Sequence, residues 1–394
     1  MKNRIILLFN LVLILGCSKN DQVEKIDLPE VEHELKLEIE EYLNENYMNP
    51  EDYVISKYAD HDIVIIGEYH RIKHDPELIQ HLILKLYEND IYTLGIEFAR
   101  REDQFLIDSV LNNPTYNKVL AQTIILNFLV FWGYQEYVDI FKIAWQLNQT
   151  LPEGNRKFRI LGLSDSPDWS LIKTQKDLEN ASITQQVWKG CSEELWAKVI
   201  LDEVIAKGEK ALIYCGIHHA FTEYKQPIIN DEDNTFIGFI ERRMGNSIYS
   251  EIKKKAITIF LHSPWPSAQG YNEPYVYPAD GIIDAVMAEI SIDDRRVGFD
   301  TKDTPFGKLP GETGIYKRGY NSFTLDMYCD GYIYQMPLSE YNGVTAIEDF
   351  INEENIEKAR SQSPNPEFRN SSIKDFNNSI KQDADIKRRF ASFW

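Results

Sequence analysis

The chain has 394 residues and a formal net charge of −20, from 62 acidic and 42 basic side chains. So acidic a body repels phosphate backbones and anionic lipid surfaces, which argues against nucleic acid and leaves small molecules or peptides as expected partners. With Cys17 set aside, Cys191, Cys215 and Cys329 show no Cys-x-x-Cys spacing and signal neither a disulfide framework nor a cysteine zinc site.

Lys2 and Arg4 precede an apolar run from Ile5 to Leu15, shorter than the roughly 20 residues a membrane span requires. Positive start and short apolar run read as a secretory signal over residues 1–16. Ile14-Leu15-Gly16-Cys17 resembles the lipobox of bacterial lipoproteins. That resemblance implies lipidation at Cys17, a polar tether over 17–30, and an exported protein held at the outer membrane or a periplasm-facing membrane surface by lipid alone. The roughly 370 residues that remain can bury one large core.

Val31 to Tyr47 reads as a surface helix with an acidic outer face. Ile63 to Ile66 is an apolar, mostly β-branched run read as a strand covered on both faces, and it closes on Gly67-Glu68-Tyr69-His70. Asp75-Pro76-Glu77 predicts the next helix start, with Asp75 as N-cap. A second strand, Tyr92 to Phe98, completes a parallel βαβ unit and carries Glu97, a carboxylate that is costly to bury unless paired or bound to a metal. Residues 102–150 are helical and aromatic, with Phe128, Phe131, Trp132, Tyr134, Tyr137, Phe141 and Trp145; they pack as ordinary helices or form a lid.

Three further strands come next: Phe158–Leu163 with Asp165 beyond it, Ala211–Gly216 ending in Ile217-His218-His219, and Ile257–Leu261 ending in His262. Glu68, His70, Glu97, Asp165, His219 and His262 thus all fall at or after strand C-termini, where open α/β sheets bind their ligands. The spacing Gly-x-x-His occurs twice, at Gly67–His70 and Gly216–His219, each time closing an apolar strand. Residues 31–262 are read as one α/β three-layer sandwich with a mostly parallel central sheet. Residues 263–394 form a loop-rich extension packed on it, with a short helix at Ile282–Ile290, a strand at Gly331–Met336 and terminal helices over Ala346–Arg360 and Ser372–Phe390.

The two Gly-x-x-His elements with Glu97 between them resemble the superfamily that joins ChaN-type haem-binding proteins, the Tiki and TraB metalloprotease-like proteins and the erythromycin esterases. The resemblance covers Ile63 to about Leu261 and implies a site of Glu68, His70, Glu97 and His219. From the Tiki-like members it implies a divalent metal held by His70, Glu97 and His219, which would activate water for ester or peptide hydrolysis. From the esterase-like members it implies His70 as a metal-free general base whose tautomer is fixed by Glu68 or Glu97. From the ChaN-like members it implies a haem-binding protein without enzymatic activity.

Overall fold

The computed structural model describes residues 25–230, 233–271, 273–290 and 296–394. The expected signal segment, Cys17 and the first part of the tether lie outside the described residues. Nine strands are assigned among them: β1 (Ile63–Glu68), β2 (Thr93–Arg100), β3 (Arg159–Ser164), β4 (Ala211–Gly216), β5 (Pro227–Ile229), β6 (Phe236–Phe239), β7 (Ala256–Leu261), β8 (Val297–Asp300) and β9 (Gly331–Tyr334).

Seven of them build one sheet in the order β3-β2-β4-β1-β7-β9-β8. Its pairings are parallel throughout except β8 against β9. The apolar strands alternate between two cores. Ile63 and Ile65 of β1 join Ile213, Cys215 and Leu163 on one face, while Val64 and Ile66 join Leu212, Tyr214 and Ile96 on the other. Helices His33–Asn46, Glu193–Glu203, Met244–Ile252 and Ile282–Glu289 supply the first core; helices His74–Glu88, Gln104–Asn112, Lys118–Phe128 and Gln135–Thr150 supply the second. Both faces of the sheet are therefore covered, as continuous Val/Ile-rich strands require. This is the three-layer α/β sandwich expected from the sequence. Among the described residues no helix is long and apolar enough to cross a membrane.

Several expectations are corrected in detail. Helix His74–Glu88 starts after Lys73, so Asp75 lies inside its first turn rather than capping it. Asp75 is fully buried, and burial together with the nearby charge of Glu68 holds its carboxyl well above the usual carboxylate range. The helix expected from Ala346 is confined to Ile356–Ser361, and the one expected over Ser372–Phe390 breaks at Asp385. β8 and the β5–β6 hairpin are too short to stand out in the sequence. The C-terminal extension thus adds two strands to the main sheet as well as loops.

Residues 102–150, read as ordinary helices or a lid, bury Ile107, Val110, Ile124, Ile125, Val138 and Phe141 in the second core. The connection between the last two of their helices brings Trp132 to the C-terminal edge of the sheet, edge-on to the His70 ring with centroids 5.0 Å apart.

The two rims of the sheet are occupied. On β3, the Gln104 amide donates to the Ile160 carbonyl at 2.8 Å and accepts from the Gly162 N–H at 3.1 Å. On β8, the Gly298 N–H donates to the Met48 carbonyl at 3.0 Å, and the Tyr53 hydroxyl donates to the Phe299 carbonyl at 2.9 Å.

Candidate active site

β1, β2 and β4 are neighbours, so their C-terminal ends bring Glu68, His70, Glu97 and His219 together at one edge. Glu68, the last residue of β1, is fully buried as a side chain, while His70 two residues on keeps 32 % of its side chain exposed. Their contact is direct: His70 Nδ1 lies 2.7 Å from Glu68 Oε1. The Tyr137 hydroxyl donates to Glu68 Oε1 at 2.6 Å, and the Tyr214 hydroxyl donates to Glu68 Oε2. A carboxylate that accepts two hydroxyls uses its remaining capacity to accept from Nδ1–H. This fixes the tautomer and leaves the Nε2 lone pair available as an acceptor.

Nε2 is turned toward Gly216. A Cβ at that position would come within 2.6 Å of His70 Cε1, 2.8 Å of Nε2 and 3.3 Å of Glu97 Oε2. Gly216 has an ordinary φ of −61°, so glycine is required here for close approach and not for a turn. Gly216→Ala is expected to push the imidazole out of its seat with little loss of stability. A crystal structure of the variant would show the shifted ring; an unmoved His70 would contradict the reading.

Glu97 lies where the β2–β3 register shifts, between Ile96 and Arg100, the kind of irregularity that re-aims side chains at sheet ends. Its Oε2 accepts from the Gly216 N–H at 2.7 Å, and its Oε1 lies 3.5 Å from His219 Nε2. Neither of the arginines that follow on the chain pairs with Glu97: Arg100 bonds Asp103 and Arg101 bonds Asp165. On its other side, His219 Nδ1 lies 2.9 Å from Glu193 Oε2, and Glu193 Oε1 accepts from Arg243 at 2.6 Å. The result is a buried chain of alternating charge running Glu97, His219, Glu193, Arg243.

Electrostatics follow from that alternation. Burial disfavours charge on His219, but the carboxylates of Glu193 and Glu97 outweigh it and raise its pKa to about 10. Burial likewise opposes ionisation of the two acids. His219, helped by His70 and the Gly216 amide, nevertheless holds Glu97 at about 2, while His219 and Arg243 hold Glu193 at about 2. His219 is therefore an imidazolium with both ring nitrogens committed to carboxylates.

The expected metal set of His70, Glu97 and His219 does not fit this arrangement. A metal ligand must present a free imidazole lone pair to the ion, and both His219 nitrogens lie against carboxylates, Glu97 Oε1 at 3.5 Å and Glu193 Oε2 at 2.9 Å. Glu97 Oε2 is already engaged by a backbone amide. Among the described residues no group of three His, Cys, Asp or Glu side chains is arranged to hold a metal ion.

Two other residues from the strand-end pattern serve different ends. Asp165 accepts from the Ser192 N–H at 2.7 Å and from Trp196 Nε1 at 2.9 Å, which seats the Trp196 ring 4.8 Å from that of His219. His262 is fully buried between Asp284 and Tyr332, each 3.0 Å from one of its nitrogens. His218 bonds the Tyr316 hydroxyl at 3.1 Å. Sequence reading missed Tyr137, Tyr214, Glu193 and Arg243. For Tyr214 a signal existed, a hydroxyl-bearing residue in an otherwise apolar buried strand; the other three come from helices and loops whose orientation periodicity does not reveal.

No protein-family model and no curated protein matches this chain. Solved structures similar to it include a succinoglycan biosynthesis protein, at 9 % identity over 80 % of this chain and 100 % of that one, with a TM-score of 0.51. They also include the erythromycin esterase EreC, carrying a histidine-to-asparagine mutation and in its open conformation, at 10 % identity over 76 % of this chain and 95 % of that one, with a TM-score of 0.47. A third is ChaN of Campylobacter jejuni, described for cofacial haem binding, at 15 % identity over 54 % of this chain and 86 % of that one, with a TM-score of 0.35. At 9 % identity the likeness to the succinoglycan biosynthesis protein shows the fold alone, the three-layer α/β architecture expected from the order of apolar strands and helices.

Proposed function

We propose that the chain is a hydrolase of small-molecule esters in which His70 activates water without a metal. The observation that carries this reading is the His70–Glu68 contact: a part-exposed imidazole whose Nδ1 is fixed 2.7 Å from a fully buried carboxylate, with Nε2 beside Gly216.

Water held at Nε2 gives up a proton to His70 as its oxygen adds to the ester carbonyl carbon. The imidazolium formed is stabilised by Glu68 and returns that proton to the leaving alkoxide as the carbon–oxygen bond breaks. One ester and one water yield one acid and one alcohol, with His70 restored. Glu97, held ionised beside Gly216, favours the positive charge that develops on His70. His219 keeps Glu97 in place. Phe98 and Trp132, with ring centroids 5.7 and 5.0 Å from that of His70, are buried against the imidazole and give it apolar surroundings.

A haem reading, which the description of the ChaN structure suggests, lacks a comparable carrying observation. Beside His70, the hydroxyls of Tyr69 and Tyr275 are bonded to each other at 3.2 Å.

The test is a panel of p-nitrophenyl esters of graded acyl length, run with and without a chelator, beside a haemin titration followed by absorbance. Chelation is expected to leave the rate unchanged, and His70→Ala to lower it by about 10²–10⁴-fold. Loss of activity on chelation with recovery on added zinc would overturn the metal-free scheme. Failure to hydrolyse any ester, with a stable haem band, would overturn the hydrolase.

A further inference from the structure

The turn that carries His70 is held from the far end of the chain. Arg71 has a φ of 72°, in the left-handed region, which a residue with a side chain enters at a cost. Such a conformation persists where its surroundings impose it. The Arg71 N–H donates to the Tyr137 hydroxyl at 3.1 Å, and the Arg71 carbonyl accepts from the Val344 N–H at 3.1 Å. Between these two ties, the His70 carbonyl accepts from Arg389 Nη1 at 3.1 Å.

Arg389 sits in the last α-helix, Ile386–Arg389, within a strap that runs to Trp394. Its guanidinium carbon lies 4.7 Å from the centroid of the Tyr69 ring and 5.8 Å from that of Tyr275. The strap is seated on the same aromatic surface. Phe390 meets Tyr275 edge-on at 4.9 Å, Phe393 meets Tyr277 at 4.7 Å, and the Ser392 hydroxyl donates to the Tyr275 carbonyl at 3.0 Å. A cation held between aromatic rings and bonded to a backbone carbonyl makes a charge-assisted contact, stronger than one between neutral groups. The carbonyl it has found belongs to the residue whose ring is bonded to Glu68.

We propose that Arg389 is a positioning residue for His70. By gripping the His70 carbonyl it holds the strained turn in the one shape that places Nδ1 on Glu68 and Nε2 beside Gly216, and residues 386–394 are part of the site. The inference rests on the reading of His70 as the base, but the ring placement it concerns can be measured without any substrate.

The experiment compares the full chain with Arg389→Ala and Arg389→Lys. The rate of carbethoxylation of each histidine by diethyl pyrocarbonate is mapped by mass spectrometry, and the His70 ring is titrated by NMR, its signal assigned by its absence in His70→Ala. Exposed His33 and His81 are internal references, and buried His262 reports global unfolding. In Arg389→Ala, His70 is expected to react roughly tenfold faster as the turn opens, with a shifted titration midpoint and with His33 and His81 unchanged. Arg389→Lys, which keeps the charge and a donor, is expected to recover part of the protection. A His70 rate and midpoint equal to wild type in Arg389→Ala, with His262 still protected, would overturn the proposal. Should His262 become reactive in the Ala variant, the Lys variant decides: selective change at His70 supports the positioning role, and none overturns it. Absence of esterase activity in all three proteins would count against the hydrolase and leave this result readable.

Discussion

Glu68→Gln is expected to reduce ester hydrolysis by about 10³–10⁴-fold while leaving the chain folded, the size of loss seen when a base is left in the wrong tautomer. Glu68 now accepts from three donors: His70 Nδ1, the Tyr137 hydroxyl and the Tyr214 hydroxyl. An amide has one acceptor oxygen and one NH₂ group, so the NH₂ meets a donor in either position: the Tyr214 hydroxyl at Oε2, or the His70 Nδ1–H and the Tyr137 hydroxyl at Oε1. The hydroxyls can rotate away and the imidazole can change tautomer. When it does, Nδ1 becomes the acceptor and the proton moves to Nε2, where water must be activated. Tyr137→Phe, which removes one donor and leaves the carboxylate, should cost far less. Steady-state kinetics with near-ultraviolet circular dichroism as the control for folding would measure both. A loss below about tenfold in Glu68→Gln would mean that Glu68 merely fills a buried position and that His70 does not depend on it.

Glu193→Gln has the second large expected effect, on stability. It removes the central carboxylate of the buried chain and leaves His219 and Arg243 short of a counter-charge. Breaking a buried, hydrogen-bonded ion pair by deleting one partner typically costs about 3–5 kcal/mol. The pH dependence gives the assignment a second handle. His219 is raised to about 10 from an ordinary 6.5, so its contribution is fully present below about pH 6.5 and is lost as pH rises through 10. Glu97 and Glu193 are lowered to about 2 from an ordinary 4.5, so theirs is present above about pH 4.5 and is lost as pH falls toward 2. Stability from this chain of charges therefore peaks between about pH 4.5 and 6.5 and declines on both sides. Urea midpoints measured from pH 4 to 10 should show an alkaline decline in the wild type that flattens in Glu193→Gln. Parallel curves for the two proteins would place the relevant titration elsewhere.

Strand texture was the legible part of the sequence. Ile63–Ile66 and Ala211–Gly216 are apolar runs that meet a glycine; β4 ends at its glycine as expected, while β1 runs on through Gly67 to Glu68. Once those strands are adjacent and parallel, Glu68, His70, Glu97 and His219 must meet, and they do. How those residues act on one another was not legible. Whether His219 is a metal ligand or an imidazolium depends on Glu193, which lies in a helix 26 positions earlier and was set beside it by packing of the two layers. The role of Gly216 was hidden in the same way. Its φ is ordinary, and its missing side chain matters because a ring from another strand end occupies the space. The hold on the His70 turn comes from Arg389, at the opposite end of the chain, where sequence proximity gives no hint.

The occupied rims of the sheet bear on how the protein behaves at high local concentration. A parallel sheet with open borders is a template for strands from neighbouring molecules, and a row of free backbone N–H and C=O groups is enough to start that growth. Here Gln104 answers both polarities on the β3 border, and Met48 with Tyr53 answers them on the β8 border. Two outward backbone groups on each border are thereby taken, which leaves the main sheet a poorer template for a neighbour's strand.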